Sequence, residues 1–240
     1  MLKLNNMKKI VATVEPKHTC EFCHREFVRE RTLISHLCEQ KQRWLNKDIK
    51  GNRLGFQCWL QFYTKNSMNR TKNKTYEEFI KSAYYTAFVK FGTYCGEVNV
   101  VNVSRFVDWL LKENIKLDNW HSDSVYTTFL QDYLRKEDPF DAIHRGIEHS
   151  IVLAKAANIQ SHDILRFGNV NKICYAITTG KISPWMLYQS NSGTHFLDTL
   201  NPDHVKMIIE YIDPEQWAIK FKRDPEVAKQ IKELLGAGGY

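Results

Sequence analysis

Three cysteines and three histidines crowd into one short stretch near the N-terminus, HTCEFCHREFVRERTLISHLCEQKQRW over 18–44, and they limit what this part of the chain can fold into. Cys20 and Cys23 are separated by two residues, a spacing at which two thiolates reach one tetrahedral metal from a tight turn. Six cysteines in 240 residues are too few and too scattered for a disulfide scaffold, so this cluster reads as metal binding. A segment so short cannot bury enough apolar area to hold its shape, and a bound metal supplies the missing folding energy.

Phe27 follows Cys23 by four residues, Leu33 follows Phe27 by six and His36 follows Leu33 by three. With the Cys20/Cys23 pair, this pattern resembles the two-Cys-two-His zinc finger, over under a tenth of the chain. The resemblance implies one structural Zn2+, Phe27 and Leu33 as the two core apolar residues, and His36 facing the metal from a short helix. In a finger docked in a DNA major groove, the helix positions held by Arg29, Thr32 and Ser35 face the bases, and Arg29 suits a guanine edge. A lone finger reads about three base pairs and rarely suffices for specificity, and many single fingers are protein-interaction or purely structural modules.

The fourth ligand departs from the family's pattern. A second His or a Cys is expected four to six residues after His36, where the chain has Gln40, Lys41 and Gln42. Cys38 is the nearest candidate, with His18, His24 and Cys58 as alternatives. Residues two apart on a regular helix point about 200° away from each other, so His36 and Cys38 share a metal only if the helix tightens or unwinds between them.

Charge is concentrated directly behind this cluster. The chain carries a formal +7, yet residues 41–74 hold nine cations against the single acid Asp48. The cations are Lys41, Arg43, Lys47, Lys50, Arg53, Lys65, Arg70, Lys72 and Lys74. A basic run of this density neutralises phosphates and releases counterions, which makes a nucleic acid the expected partner. Trp44 and Trp59 lie among the cations as possible stacking groups for unpaired bases. The plainer reading makes the aromatics the core of the next helix and the cations its solvated face. A protein partner, whether polymerase, replication machinery or a virion assembly, is the alternative, with the basic run docked on an acidic surface.

Beyond residue 75 the chain reads as all-α. Thr75 and Glu78 form a capping box, and Phe79, Ala83 and Ala87 repeat at helical spacing. Five of the six prolines follow a capping residue: Asp138-Pro139, Ser183-Pro184, Asn201-Pro202, Asp213-Pro214 and Asp224-Pro225. Proline suits the first helical position, so helices are expected near 139–157, 184–190, 202–211, 214–222 and 225–235. Alternating valines between Gly96 and Val103 suggest one strand without a visible partner. The expected organisation is an N-terminal arm (1–17), a zinc-finger module (18–40), a basic aromatic-containing arm or linker (41–74), an α-helical domain (75–235) and a frayed tail (236–240). The class is therefore all-α, mainly short capped helices, with a small N-terminal zinc-finger module.

No catalytic constellation stands out. His144 and Glu148 share a helix face without the zinc-protease spacing, His162-Asp163 lacks further ligands, and His121-Ser122-Asp123 is no triad by adjacency. A metal-dependent nuclease built on these groups is the remaining enzymatic reading. Residues 169–190 have the outline of a helix-turn-helix, but PWMLYQS carries no cation and reads as core. No apolar run reaches the ~18 residues of a membrane span and the N-terminus has no secretory h-region, so a cytoplasmic protein is expected. The phrases HLCEQKQRW and GKISPWMLYQSNSG give the chain a loose resemblance to uncharacterised tailed-bacteriophage proteins, which implies a host-cytoplasm or virion setting.

Overall fold

The computed structural model describes residues 18–66 and 74–240, and the 1–17 arm lies outside them. The described chain begins with a two-stranded antiparallel ribbon, β1 (His18–Thr19) and β2 (Glu26–Phe27), pairing His18 with Phe27 and Thr19 with Glu26. A short helix α1 (Glu30–Ser35) completes a ββα unit. Next come α2 (Glu39–Leu45), α3 (Lys50–Asn66), α4 (Tyr76–Lys81) and α5 (Tyr85–Val98). Residues 41–66 are thus mostly helix, while Arg70 and Lys72 lie outside the described residues. The Thr75/Glu78 capping box is present in both directions.

The α3–α5 contact is the tightest in the fold. Gly51 and Gly55 on α3 face Gly92 on α5, and a Cβ on Gly92 would lie 2.2 Å from the Gly51 carbonyl oxygen and 2.3 Å from the Gly55 nitrogen. Only glycine permits this backbone-to-backbone approach. Around the seam, Trp59, Phe79, Phe88, Phe91, Phe106 and Trp120 fill a buried aromatic core.

The valine-rich stretch is no strand. Its first residues finish α5, Asn99 takes a left-handed C-cap (φ 56°), and Asn102 caps α6 (Val103–Lys112) by accepting from the Arg105 N–H. α7 (Asp123–Lys136) and α8 (Pro139–Ala157) follow, then α9 (Ile164–Phe167) and α10 (Val170–Thr178). The chain ends with α11 (Pro184–Gln189), α12 (Asn191–Asp198), α13 (Pro202–Ile212), α14 (Pro214–Arg223) and α15 (Pro225–Ala237). All five capped prolines open a helix. Asp138, Ser183, Asn201 and Asp213 accept backbone N–H bonds there, while Asp224 makes no such bond.

A buried ion pair ties the middle of the bundle together. Glu137, at the C-cap of α7, lies 2.6 Å from Arg145 of α8 and accepts from the Ser183 hydroxyl at 3.0 Å. Arg145 also donates to the Gly180 carbonyl at 2.7 Å. Pro184, Trp185, Met186 and Leu187 of α11 are buried, so this helix is core and cannot enter a groove. The expected frayed tail is also corrected: Tyr240 is buried and its N–H bonds to the Leu235 carbonyl at 3.0 Å. Among the described residues no helix is long and apolar enough to cross a membrane.

Candidate metal centre

The β1–β2 turn carries the first two ligands. The Cys20 N–H donates to the Arg25 carbonyl at 2.9 Å and the His24 N–H to the Cys20 carbonyl at 2.8 Å, with His24 in the left-handed region (φ 58°). This tight knuckle turns Cys20 and Cys23 toward the same point. α1 then stops one residue before His36, whose backbone is extended (φ −71°, ψ 120°). Cys38 is extended too (φ −81°, ψ 163°). The helix ends early, and this removes the 200° conflict between His36 and Cys38. His36 consequently reaches the site from the helix C-cap instead of from within the helix.

The donor atoms of Cys20, Cys23, His36 and Cys38 all lie within 4.8 Å of one another. The Cys20 and Cys38 sulfurs are 4.0 Å apart, and the Cys23 sulfur is 3.2 Å from His36 Nε2. A tetrahedral zinc requires S···S edges of about 3.8 Å and S···N edges of about 3.6 Å. The cluster is therefore geometrically suited to one structural Zn2+, and its three cysteines are free of disulfides. His18, His24 and Cys58 fall outside it. Cys58 is buried in α3, where burial pushes its thiol pKa up to about 12.

Cys20 and Cys23 respond to the cluster in opposite directions. Burial raises the Cys20 thiol, but backbone N–H groups of Cys23 and Phe22 and the neighbouring thiols outweigh it and leave Cys20 below its ordinary value. Cys23 is helped by the Arg25 backbone, yet desolvation and the neighbouring thiols Cys20 and Cys38 hold it above its ordinary value. Thiolates this close repel one another, and a divalent cation relieves that repulsion. Cys38 also serves as N-cap of α2, accepting from the Lys41 N–H at 3.4 Å.

Phe27 and Leu33 are half-buried, and the Phe27 ring lies 4.8 Å from the His36 ring. An aromatic series then fastens the module to the helical body. Phe22 meets Trp44 at 6.0 Å, Trp44 meets Tyr76 at 5.8 Å, and Tyr76 meets Phe56 at 5.1 Å and Phe79 at 5.6 Å.

The structure divides the expected nucleic-acid residues into two groups. Trp59 is 1 % exposed, packed on Phe79 at 5.3 Å, so the expected stacking role is corrected: its ring is core and cannot receive a base. Trp44 is half-buried in the aromatic series, with the Lys47 ammonium 4.9 Å from its ring. Arg43 turns inward, donating to the Ile80 carbonyl at 2.7 Å, pairing with Glu39 and lying 4.3 Å from the Tyr85 ring. Lys41 bonds the His36 carbonyl at 3.2 Å, Lys65 pairs with Asp108 at 3.2 Å and Lys74 with Glu78 at 3.0 Å. Arg29, Thr32, Ser35, Lys47, Lys50 and Arg53 are exposed. Of these, Ser35 donates to the Thr32 carbonyl and Lys50 to the Gly96 carbonyl, and none of the four cations has a carboxylate partner among the described residues.

The His–carboxylate pairs stay isolated. His144 and Glu148 are 3.7 Å apart on an exposed face, and His162 and Asp163 are 3.6 Å apart. Asp123 accepts from the Tyr94 hydroxyl and Ser122 shares a hydrogen bond with Ser124, so neither is oriented by His121. Among the described residues, only the Cys/His cluster brings three or more such ligands together. Cys95 and Cys174 are buried among apolar neighbours.

No family model matches the chain, and no curated protein and no solved structure is similar to it.

Proposed function

We propose that this zinc-binding protein binds nucleic acid, with the metal holding residues 18–38 in shape so that an exposed cationic face is presented to phosphates. The observation that carries the reading is the set Arg29, Lys47, Lys50 and Arg53, all exposed and none paired with a carboxylate among the described residues. Arg29 stands at the N-cap of α1, and Thr32 and Ser35 within that helix are exposed as well. Arg43 turns inward, and Lys65 and Lys74 are each paired with a carboxylate at the surface, so these three stand outside the phosphate-binding set. Four phosphate contacts give a salt slope of about −3 to −4 in log affinity against log salt. A filter-binding or anisotropy series against duplex and single-stranded oligonucleotides reads that slope. Arg53→Ala is expected to flatten it by about one. A slope near zero, or no binding at low salt, overturns the reading.

A second reading has its own observation. Val28, Ile34 and Leu37 on the zinc module, with Leu45 and Ile49 just behind it, are large apolar residues left more than half exposed. A protein partner that covers them, in replication or assembly machinery, makes the zinc a staple for a docking surface. A raised 260/280 absorbance ratio in purified protein favours nucleic acid; stable incorporation into a large protein assembly favours docking.

A further inference from the structure

Away from the metal centre, a cleft of about 450 Å³ opens between the end of α5, the second half of α8, α10 and the turn after α10. Its charge is unusual. Lys181 and His149 are both half-buried in it, and Lys172 stands at its edge. None of these three side chains makes a hydrogen bond or ion pair among the described residues, although half-buried cations ordinarily find a partner. Glu97 is the single carboxylate in the lining, so the walls keep a net positive charge. Burial, then Lys181, lowers the His149 pKa; burial, then Arg145 and Lys50, brings Lys181 down to about 8. The fold thus leaves the Lys181 ammonium in the cleft without a counter-charge, and beside it a His149 ring that is less ready to take a proton and can donate a hydrogen bond as neutral imidazole.

The remainder of the cleft is mixed, with Asn99, Asn171 and Thr179 beside apolar side chains. Val98 and Leu153 form walls, and the Tyr175 ring, 58 % exposed, stands at the rim without a ring partner among the described residues. An exposed aromatic face receives a planar ring, and the cations receive an anion. The volume lies in the range of small-molecule sites. We propose that this cleft binds a nucleoside monophosphate, with the base against Tyr175 and the phosphate drawn to Lys181, His149 and Lys172. None of the residues lining the cleft belongs to the zinc module or to the cationic set proposed above, although Lys50 of that set lies near enough to Lys181 to lower its pKa.

The test is isothermal titration of the zinc-loaded full chain with AMP, adenosine and inorganic phosphate in parallel. AMP is expected to bind with a Kd below 1 mM, on the order of other small-ligand sites, and at least about tenfold tighter than either fragment. Lys181→Met and, separately, the surface variant Tyr175→Ala are each expected to weaken AMP about tenfold while circular dichroism stays unchanged. Absence of AMP binding, equal affinity for AMP and inorganic phosphate, or affinity untouched by both variants overturns the proposal. Oligonucleotide binding unaltered by Lys181→Met is expected, which keeps the two sites separable.

Discussion

Gly92→Ala offers a direct reading of how tightly the body behind the metal centre is packed. The added methyl would stand 2.2 Å from the Gly51 oxygen, 2.3 Å from the Gly55 nitrogen and 2.8 Å from the Gly55 α-carbon. All three neighbours are backbone, so no side chain can rotate away. Restoring an ordinary 3.4 Å contact parts α3 from α5 by about 1.2 Å, and a radial gap near 1 Å forfeits up to about half of the dispersion energy of each contact across it. The contacts at stake include Phe62 on Phe88, ring centroids 5.5 Å apart. Overpacking costs about 1–3 kcal/mol in general, and a clash confined to backbone belongs at the top of that range. For a chain of this length, ~3 kcal/mol lowers Tm by about 6–12 °C. Gly236→Ala is the matched control, since its Cβ meets nothing within 4 Å in α15. There the helix-propensity gain of about 0.5–1 kcal/mol raises Tm slightly. Thermal melts followed at 222 nm compare the two. A Gly92→Ala protein melting within about 2 °C of the parent refutes the seam argument.

Atomic emission is expected to find one zinc per chain, and the cobalt-substituted protein to show tetrahedral thiolate bands. Chelation is expected to alter Trp44 fluorescence while far-ultraviolet helicity is largely retained, because α3 to α15 contribute no ligand. Cys38→Ser keeps a good N-cap acceptor and loses metal affinity, whereas Cys38→Ala loses a further ~1 kcal/mol of helix capping; metal titration and melts separate the two. Glu137→Ala leaves the Arg145 charge without its partner and the Ser183 hydroxyl without its acceptor, and costs about 3–5 kcal/mol in urea unfolding. Lys181→Met raises Tm at pH 7, since the folded chain carries a charge there that burial disfavours. Its native pKa, about 8 against 10.5 in the unfolded chain, makes that gain shrink as pH climbs from 8 past 10.5. A gain equal at pH 7 and pH 10.5 contradicts this.

Local chemistry made much of the fold legible. A proline preceded by Asp, Asn or Ser has few uses other than opening a helix, and at Pro139, Pro184, Pro202, Pro214 and Pro225 it does so. Cys20 and Cys23 followed from their spacing, and His36 from the resemblance to the two-Cys-two-His zinc finger. The fourth depended on where α1 ends, and a residue leaving helical backbone at His36 has no strong sequence signature. Residues 41–66 were harder because cation density masked an apolar pattern. Gly51, Gly55, Cys58, Trp59 and Phe62 recur at helical intervals, and these positions form the α3 face that packs on the body. The cleft around Lys181 was invisible for another reason: its walls come from α5, α8 and α10, and no local motif brings distant cations together.

One sulfur at Cys38 has two obligations. It completes the tetrahedron with Cys20, Cys23 and His36, and it receives the Lys41 N–H in the first turn of α2, an amide without an intrahelical carbonyl. The direction in which α2 departs is therefore referenced to the ion itself, and Trp44 on that helix passes the reference to Tyr76 in the bundle. Inserting a single residue between His36 and Cys38 would misalign coordination and helix heading in one stroke, so neither can drift in evolution without the other.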